Sequence, residues 1–336
     1  MRRITVILPN YNHARYLPRR IESILSQTLA DFELLILDNK SLDDSREVIA
    51  RYQTDPRVRA VFNETNSGSP YLQWRLGLSL SQSEYVWIAE SDDYAEPVLL
   101  EKLVGALDEN PSAGLAVANS LAVDENDQPL ENYLDLFKND PRYAGYDFSG
   151  WDRDFAMAGR EYTARYLFPW NTIPNASAVV FRRSAVEAAG GPVTNMKICG
   201  DWMTYINILM ASDIVRVADV LNYFRQHQAN VRSSTKIADF VAESRGVQNS
   251  TARALGLSRN PLRRKAVAGF YAQILLWRER RPPHHKVPLT RAIPALRETS
   301  RFGPRVLASA AGILAKEGAA DVARRLGILK RTPKTA

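Results

Sequence analysis

Cysteine is almost absent from this chain of 336 residues, and its scarcity excludes two kinds of site. The single cysteine, Cys199, cannot form an internal disulfide or a metal site built from cysteines alone. Long apolar runs are also missing, since none approaches the roughly 18 residues of a membrane-spanning helix. The opening residues 1–9 hold two arginines and a short apolar run that ends at Pro9, which predicts neither a signal peptide nor a spanning helix. We therefore expect a cytoplasmic protein.

Several glycine-, histidine- and cysteine-based motifs are missing as well. No G-x-G-x-x-G follows the first apolar run, which argues against a dinucleotide-binding fold, and no G-x-x-x-x-G-K-[ST] is present to form a P-loop. The G-x-S-x-G elbow, H-E-x-x-H and C-x-x-C are absent too. The chemistry must therefore be carried by other groups, and carboxylates are the ones that cluster.

The net charge of +7 is unevenly distributed. Residues 251–336 contain 19 Lys/Arg against 4 Asp/Glu, whereas residues 1–250 contain 25 against 33. Basic segments dock on nucleic acid or on anionic lipid, and the alternative is a solvated helical appendage. We expect residues 251–336 to associate peripherally with an anionic membrane surface. Formation of a homo-oligomer through Phe270 and Tyr271 is an equally good use of this region.

Apolar runs alternate with helical patterns over the first 120 residues. Predicted strands cover residues 4–8, 32–37, 58–62, 85–89 and 114–118, and predicted helices cover 18–28, 45–52, 71–80 and 97–107. Such alternation is typical of βαβ units around a mostly parallel sheet.

The alternation is lost between residues 124 and 174, which are polar and aromatic and are interpreted as an excursion lining a pocket. A strand is predicted over 176–182, and two short strands over 215–220 and 221–224. Positions 202, 205, 206, 209 and 210 form one apolar helical face just after Asp201. Beyond residue 236 the pattern is mainly helical.

Three carboxylates follow the fourth predicted strand, at Glu90, Asp92 and Asp93. Open α/β sheets bind ligands at the carboxyl ends of their strands. Acids this close repel one another unless a cation or a set of donors lies among them. Hard cations such as Mg²⁺ prefer oxygen ligands of this kind, with substrate phosphates completing the shell. A solvated acidic turn is the alternative.

Several motifs, in their order and spacing, resemble family-2 glycosyltransferases of the GT-A fold. They are residues 8–12 (LPNYN), 26–28 (SQT), 37–43 (LDNKSLD), 66–68 (NSG), Arg75, 90–93 (ESDD), 200–202 (GDW) and 223–230 (YFRQHQAN). The resemblance covers about residues 3–235. It implies an α/β, Rossmann-type mixed sheet, mostly parallel and flanked by helices. Residues 1–120 would bind the nucleotide-sugar and 121–235 would bind the acceptor, while 236–336 form a basic, mainly helical extension outside the resemblance.

The resemblance also implies roles on the donor side. The nucleotide-sugar site would comprise Pro9, Tyr11, Asp38, Arg75, Glu90, Ser91 and Asp92. Asp92 matches the last acid of the family D-x-D and is the preferred metal ligand, with Glu90 and His227 as further candidates. The chain departs from the family at Glu90, where Asp is commoner, and at Asn39 and Lys40, which replace an acid and a glycine.

On the acceptor side the resemblance implies that Asp201 is the base that takes the proton of the acceptor hydroxyl, with Trp202 and Asn175 nearby. Alternatives stay open for several of these residues. Asp201 could instead be a helix N-cap, and Trp202 could belong to the core. Asp93 is either a supporting acid or a cap of its turn. Tyr11 could be a packed aromatic residue instead of a nucleotide contact, and Arg75 could be a solvent-exposed helix residue. His227 could have a structural role instead of binding a metal.

The expected reaction is an inverting sugar transfer from a UDP-, GDP- or dTDP-sugar to a hydroxyl of a glycan or lipid-linked acceptor. Mg²⁺ or Mn²⁺ would assist, and the setting would be cell-envelope polysaccharide synthesis on the inner face of the plasma membrane, without a nucleic-acid partner. One alternative is a nucleotidyltransferase, although residues 9–13 (PNYNH) replace its Gly-rich basic loop. A second is a non-catalytic nucleotide-binding module at the membrane surface, suggested by Asn39 and Glu90.

Overall fold

The computed structural model describes residues 2–139, 143, 146–168, 170–226 and 237–257. The chain forms two compact units. The first comprises Met1–Asn139, Tyr146–Leu167 and Asn171–Ser234, and the second comprises Asp140–Gly145, Phe168–Trp170 and Thr235–Ala336. The functional division at residues 235 and 236 stays a prediction.

Ten strands lie in one sheet within the described residues. They are β1 (Ile4–Asn10), β2 (Phe32–Asp38), β3 (Val58–Phe62), β4 (Tyr85–Ile88), β5 (Tyr94–Ala95), β6 (Ala113–Val123), β7 (Pro129–Asn132), β8 (Phe155–Met157), β9 (Val179–Arg182) and β10 (Asp213–Arg225). The spatial order is β3-β2-β1-β4-β9-β6-β10-β5, with β7 beside β6 and β8 beside β10. Strands β1, β2, β3, β4, β6 and β10 run in one direction, and this confirms the predicted mixed, mostly parallel sheet.

Helices flank the sheet. They are α1 (Leu17–Leu25), α2 (Ser45–Tyr52), α3 (Pro70–Leu80), α4 (Leu99–Glu109), α5 (Tyr133–Asn139), α6 (Gly159–Tyr162), α7 (Arg183–Ala188), α8 (Gly200–Leu209) and, in the second unit, α9 (Ile237–Ala254). The described part of the C-terminal region is thus helical, as predicted. Most of the basic segment, including Phe270 and Tyr271, lies outside the described residues. None of the described helices is both long and apolar enough to cross a bilayer.

Both faces of the central strands are covered, which explains their continuous apolar runs. Helices α1, α2 and α4 share one buried cluster with Val6 and Leu8 of β1. Ile7 points to the opposite face, because side chains alternate along a strand. There α3 packs so closely that a Cβ on Gly77 would lie 2.4 Å from Ile7 Cγ2. Strand β1 is therefore held between helices at the centre of the fold.

Some element boundaries differ from those expected. The region predicted as two strands over 215–224 is one strand, β10, whose register against β6 shifts at Val217–Asn222. A bulge of this kind lets a strand bend without a turn, which explains why the pattern looked broken. Residues Ala176–Ala178 form a 3₁₀ turn before β9 rather than its first residues.

Candidate active site

The loops after β1 and β2 are tied together at the carboxyl edge of the sheet. Asp38 is fully buried at the end of β2, where Asn10 Nδ2 donates to its Oδ1 at 2.9 Å and the Ser41 amide donates to its Oδ2 at 3.1 Å. Arg46 Nε lies 3.6 Å from the same Oδ2. Asn12 Oδ1 accepts from the Leu42 amide at 2.7 Å. Asp38 thus fixes the shape of the two loops.

Asn39, which replaces a family acid, connects β2 to the segment before α3. Its Oδ1 accepts from the Ser67 amide at 2.9 Å, and from Asn63 Nδ2 and Gln73 Nε2 at 3.0 Å each. Its Nδ2 donates to Asn66 Oδ1 at 3.0 Å. A carboxylate could make the accepting bonds but not the donating one, because it has no proton to give when ionised. The substitution therefore suits the local hydrogen bonding.

Glu90 is half-buried immediately after β4. Trp74 Nε1 on α3 donates to its Oε1 at 2.8 Å, and its backbone amide donates to Ser177 Oγ at 3.0 Å. Burial, reinforced by the nearby Asp92 carboxylate, raises the pKa of Glu90 to about 8. The indole is within reach because Glu has one more methylene than the Asp that is commoner at this position.

Asp93 is a buried acid between β4 and β5 that connects this turn to β10 and to the segment before β9. Its Oδ2 accepts from Asn175 Nδ2 at 3.1 Å and its Oδ1 accepts from the Arg225 amide at 3.0 Å. Asn175 Oδ1 in turn accepts from the Ala178 amide and from Asn222 Nδ2, each at 3.1 Å. Burial, and then the charge of Asp92, raise the pKa of Asp93 to about 7. This network favours a supporting role for Asp93, and it places Asn175 against the acid turn (residues 90–93).

Arg225, at the end of β10, holds the main chain of the acid turn. Its Nε donates to the Asp92 carbonyl at 2.8 Å and its Nη1 donates to the Asp124 carbonyl at 2.9 Å. Its Nη2 pairs with Asp127. The guanidinium thus acts on the protein backbone, and it fixes the position from which the Asp92 side chain projects.

A second arginine, Arg20 of α1, lies fully buried with its guanidinium 4.7 Å from the Trp87 ring centroid. Within the described part of the chain, none of its guanidinium nitrogens has a hydrogen-bond partner. Burial lowers its pKa to about 10, while Asp93, Asp92 and Glu90 oppose that shift. Arg20 thus remains a cation at neutral pH and partly offsets the charge of the acid turn.

The carboxylates of the acid turn suit a divalent cation that receives most of its ligands from a bound phosphate-containing molecule. Asp92 is half-buried at the acid turn, and the two oxygens of the neighbouring Asp93 accept hydrogen bonds from Asn175 and from the Arg225 amide. Among the described residues, no three His, Cys, Asp or Glu side chains converge as a metal site made only of protein would need. Mg²⁺-type ions are commonly held by one or two carboxylates plus substrate phosphates. The residues present fit that arrangement, and Asp92 is the candidate protein ligand.

Asp201 lies in the first turn of α8 and is partly exposed. The helix begins at Gly200 with Cys199 as its N-cap residue, so the N-cap alternative for Asp201 is wrong. An acid in a first turn is still favoured by the helix dipole. Asn171 Nδ2 lies 3.4 Å from Asp201 Oδ2. Trp202 is 3% exposed and donates to the Leu167 carbonyl at 2.8 Å, which favours the core alternative for its ring.

The other predicted residues are distributed around this edge. Pro9 lies within β1, Tyr11 is 42% exposed just beyond it, and Arg75 is exposed on α3. Ser91 is buried with its Oγ 2.7 Å from His13 Nδ1. The prediction for His227 concerns a position outside the described residues.

Sequence reasoning missed the supporting residues Arg20, Tyr71, Trp74 and Ser177. Arg20 had a usable signal, since it occupies a core position in the helical stripe that also contains Leu17, Ile21 and Ile24. The other three had none, because their hydrogen-bond partners lie 16 to 127 residues away and no sequence period connects such pairs.

Curated relatives cover only part of the chain or differ widely from it. Glycosyltransferase GlyG of Streptococcus pneumoniae is 32% identical over 132 residues, 39% of this chain and 43% of GlyG. The poly(ribitol-phosphate) beta-N-acetylglucosaminyltransferase TarP of Staphylococcus aureus is 35% identical over 116 residues, 33% of this chain and 35% of TarP. This chain therefore spans less than half the length of either relative.

Solved structures show the same fold. TarS 1-349 of S. aureus, in complex with UDP-GlcNAc, superposes with a TM-score of 0.67 at 17% identity, covering 98% of this chain and 93% of that one. The mannosyltransferase PcManGT of Pyrobaculum calidifontis, in complex with GDP-Man and Mn²⁺, superposes with a TM-score of 0.52 at 19% identity. The superposition covers 97% of this chain and 79% of that one. At these identities the likeness concerns the fold alone.

The family model described as "Glycosyl transferase family 2" matches residues 5–189, more than half of the chain and nearly all of the sheet from β1 to β9. The match covers the acid turn, the Asp38 loop and α3. The resemblance read from the sequence motifs is confirmed, and the chain belongs to glycosyltransferase family 2.

Proposed function

We propose that this protein is an inverting glycosyltransferase that transfers a sugar from a nucleotide-sugar to a hydroxyl of a cell-envelope glycan or its lipid-linked precursor. One observation carries the proposal: the acid turn of residues 90–93 lies at the sheet edge where the loops after β1 and β2 are clamped around Asp38. Nucleotides bind at such edges in open α/β sheets. TarS structures contain UDP and UDP-GlcNAc, which favours a UDP-sugar as the first donor to test.

In the proposed reaction Asp201 removes the proton of the acceptor hydroxyl as that oxygen attacks the anomeric carbon. The attack comes from the face opposite the leaving group, so the configuration of that carbon inverts. The bond from the anomeric carbon to the diphosphate breaks, and its electron pair remains on the diphosphate oxygen. A bound divalent cation would neutralise charge on that diphosphate. Arg225 and Asp93 hold the turn from which Asp92 reaches the donor.

The relatives also favour an envelope acceptor. TarP and TarS are named for transfer to poly(ribitol-phosphate), and TuaG of Bacillus subtilis, 30% identical over 132 residues, is named a putative teichuronic acid biosynthesis glycosyltransferase. We therefore propose a hydroxyl-rich polymer of the cell envelope as the acceptor. Association of residues 251–336 with the inner membrane surface belongs to the same proposal.

The test is a transfer assay with UDP-, GDP- and dTDP-sugars, with and without Mn²⁺, on purified protein. We expect Asp201→Asn to lower transfer about 10²- to 10⁴-fold, the usual contribution of a general base, while nucleotide affinity in calorimetry stays unchanged. Asp92→Ala is expected to weaken Mn²⁺-dependent nucleotide binding as well as transfer. Asp152→Asn, an exposed acid elsewhere, is the control. Full activity of both site variants would overturn the proposal.

A further inference from the structure

A line of side-chain contacts leads from the acid turn into helix α3. Trp74 donates its indole N–H to Glu90 Oε1 at 2.8 Å. Tyr71 lies one turn earlier on the same face of the helix, and its ring meets the Trp74 ring edge-on with centroids 5.1 Å apart. Tyr71 is 6% exposed and Trp74 is 3% exposed, so both rings are fixed by packing.

The same line continues into the segment that begins α8. The Tyr71 hydroxyl donates to the Ile198 carbonyl at 2.9 Å. Its ring also lies against Gly200, where a Cβ would be 2.6 Å from Tyr71 Cε2. Gly200 directly precedes Asp201, so the backbone on the amino side of this acid rests on the Tyr71 ring. A Cβ at this position would overlap the Tyr71 ring, so the close approach requires glycine at position 200.

We infer that Tyr71 and Trp74 are positioning residues that set the place of Asp201 relative to the donor site. This inference rests on the proposed function, in which Asp201 is the base. Trp74 anchors α3 to the acid turn through Glu90, and Tyr71 holds the backbone next to Asp201 against the same helix. Glu90, at the first acid of the motif, accepts a hydrogen bond from this indole. The longer side chain at this position therefore connects the acid turn to α3. A displacement of about 1 Å at a reacting group costs as much as 100-fold in rate.

Tyr71 could instead serve only to pack the core. Removing its hydroxyl while keeping its ring distinguishes that explanation from a positioning role. Tyr71→Phe keeps the ring against Gly200 and Trp74 and removes the hydrogen bond from the Tyr71 hydroxyl to the Ile198 carbonyl. Tyr166→Phe is a matched control, because Tyr166 is also 6% exposed and donates to a main-chain carbonyl, that of Asp147, at 2.9 Å. Both variants should lose similar thermal stability.

The experiment measures kcat and KM for transfer, nucleotide affinity by calorimetry and Tm for the two variants and for Trp74→Phe. We expect Tyr71→Phe and Trp74→Phe to lower kcat about 10- to 100-fold, with nucleotide affinity within about twofold of wild type. Tyr166→Phe should retain the wild-type kcat. Equal kcat in Tyr71→Phe and Tyr166→Phe would overturn the inference.

A double variant tests whether Tyr71 acts through Asp201. If it does, Tyr71→Phe added to Asp201→Asn lowers the residual transfer no further, because the group it positions is already gone. A full additional loss in the double variant would instead assign Tyr71 a general structural role and overturn the inference. Wild-type transfer by the single variant Asp201→Asn would instead refute the proposed role of Asp201 as the base, and this result is distinct from both outcomes of the double variant.

Discussion

The acid turn after β4 and the acid that opens α8 are held in contrasting ways. Asp93 is 2% exposed, and each of its oxygens accepts a hydrogen bond from another strand or loop. Asp201 is partly exposed on the first turn of a helix, with Asn171 at 3.4 Å. A buried carboxylate with fixed donors supports its surroundings, whereas a partly exposed one can reach a substrate hydroxyl.

This difference separates an acid that supports the fold from one that is proposed to take part in the reaction. The turn that positions Asp92 depends on Asp93 and Arg225, whose contacts join β10 to the segment between β4 and β5. The segment that carries Asp201 depends on α3 through Tyr71. We therefore expect substitutions of Asp93 to lower the free energy of unfolding and substitutions of Asp201 to lower the rate of transfer. Both quantities can be measured.

The largest effect on stability is expected for Asp93→Ala. The substitution leaves the Arg225 amide and Asn175 Nδ2 without their acceptor while both remain buried. It also removes a negative charge that stabilises the buried Arg20 cation. Removing one partner of a buried charged network costs about 3 kcal/mol. Urea unfolding should show that loss, and Asp201→Ala should change the free energy of unfolding by less than about 1 kcal/mol. Equal losses in the two variants would remove the distinction between them.

A smaller effect concerns the pH dependence of stability at Glu90. Its pKa is raised from 4.5 to about 8 in the folded protein, so between these values the folded state keeps a proton that the unfolded state has released. The free energy of unfolding must then fall as pH rises through this window, by at most about 1.4 kcal/mol per pH unit for one group. Glu90→Gln has no proton to lose and should show a shallower fall.

The measurement is urea unfolding in metal-free buffer at several pH values between about 5 and 8, the window set by the raised pKa. Part of the slope should remain in Glu90→Gln, because the pKa of Asp93 is raised to about 7. Glu109→Gln, an exposed acid at the end of α4, is the control and should keep the wild-type slope. A slope unchanged in Glu90→Gln would show that its carboxyl is ionised throughout the window.

The sequence predicted those features that have a local cause. Strand β3 and helix α2 have the expected bounds, because a short apolar run and a 3.6-residue period are visible in adjacent residues. The acids at positions 38, 90, 92 and 93 could be placed at one edge because the carboxyl ends of parallel strands meet there. Local pattern and topology together therefore located the candidate site.

The supporting contacts could not be predicted, because their partners are distant along the chain. Asn175 and Asp93 are separated by 82 residues, and Tyr71 and Ile198 by 127. No periodicity connects such pairs, since each depends on how the strands are ordered in the sheet. The β10 bulge was missed for a similar reason, because it is defined by register against β6.

The smallest effect is expected at Lys40, where the chain departs from the family glycine. Lys40 is exposed and has a φ of 62°, in the left-handed region that costs a residue with a Cβ about 1 kcal/mol or more. Lys40→Gly removes that cost but increases the entropy of the unfolded chain, so the net gain in unfolding free energy should be below about 1 kcal/mol. Asn12 has a φ of 57°, yet Asn12→Gly should destabilise because its side chain accepts from the Leu42 amide. Opposite signs of the change in unfolding free energy for the two variants would show that Asn12 stabilises the loop after β1 through its side chain, and that Lys40 adopts its backbone conformation after β2 at an energetic cost. A loss of stability in both variants would instead mean that Lys40 also makes a favourable contact in the loop after β2.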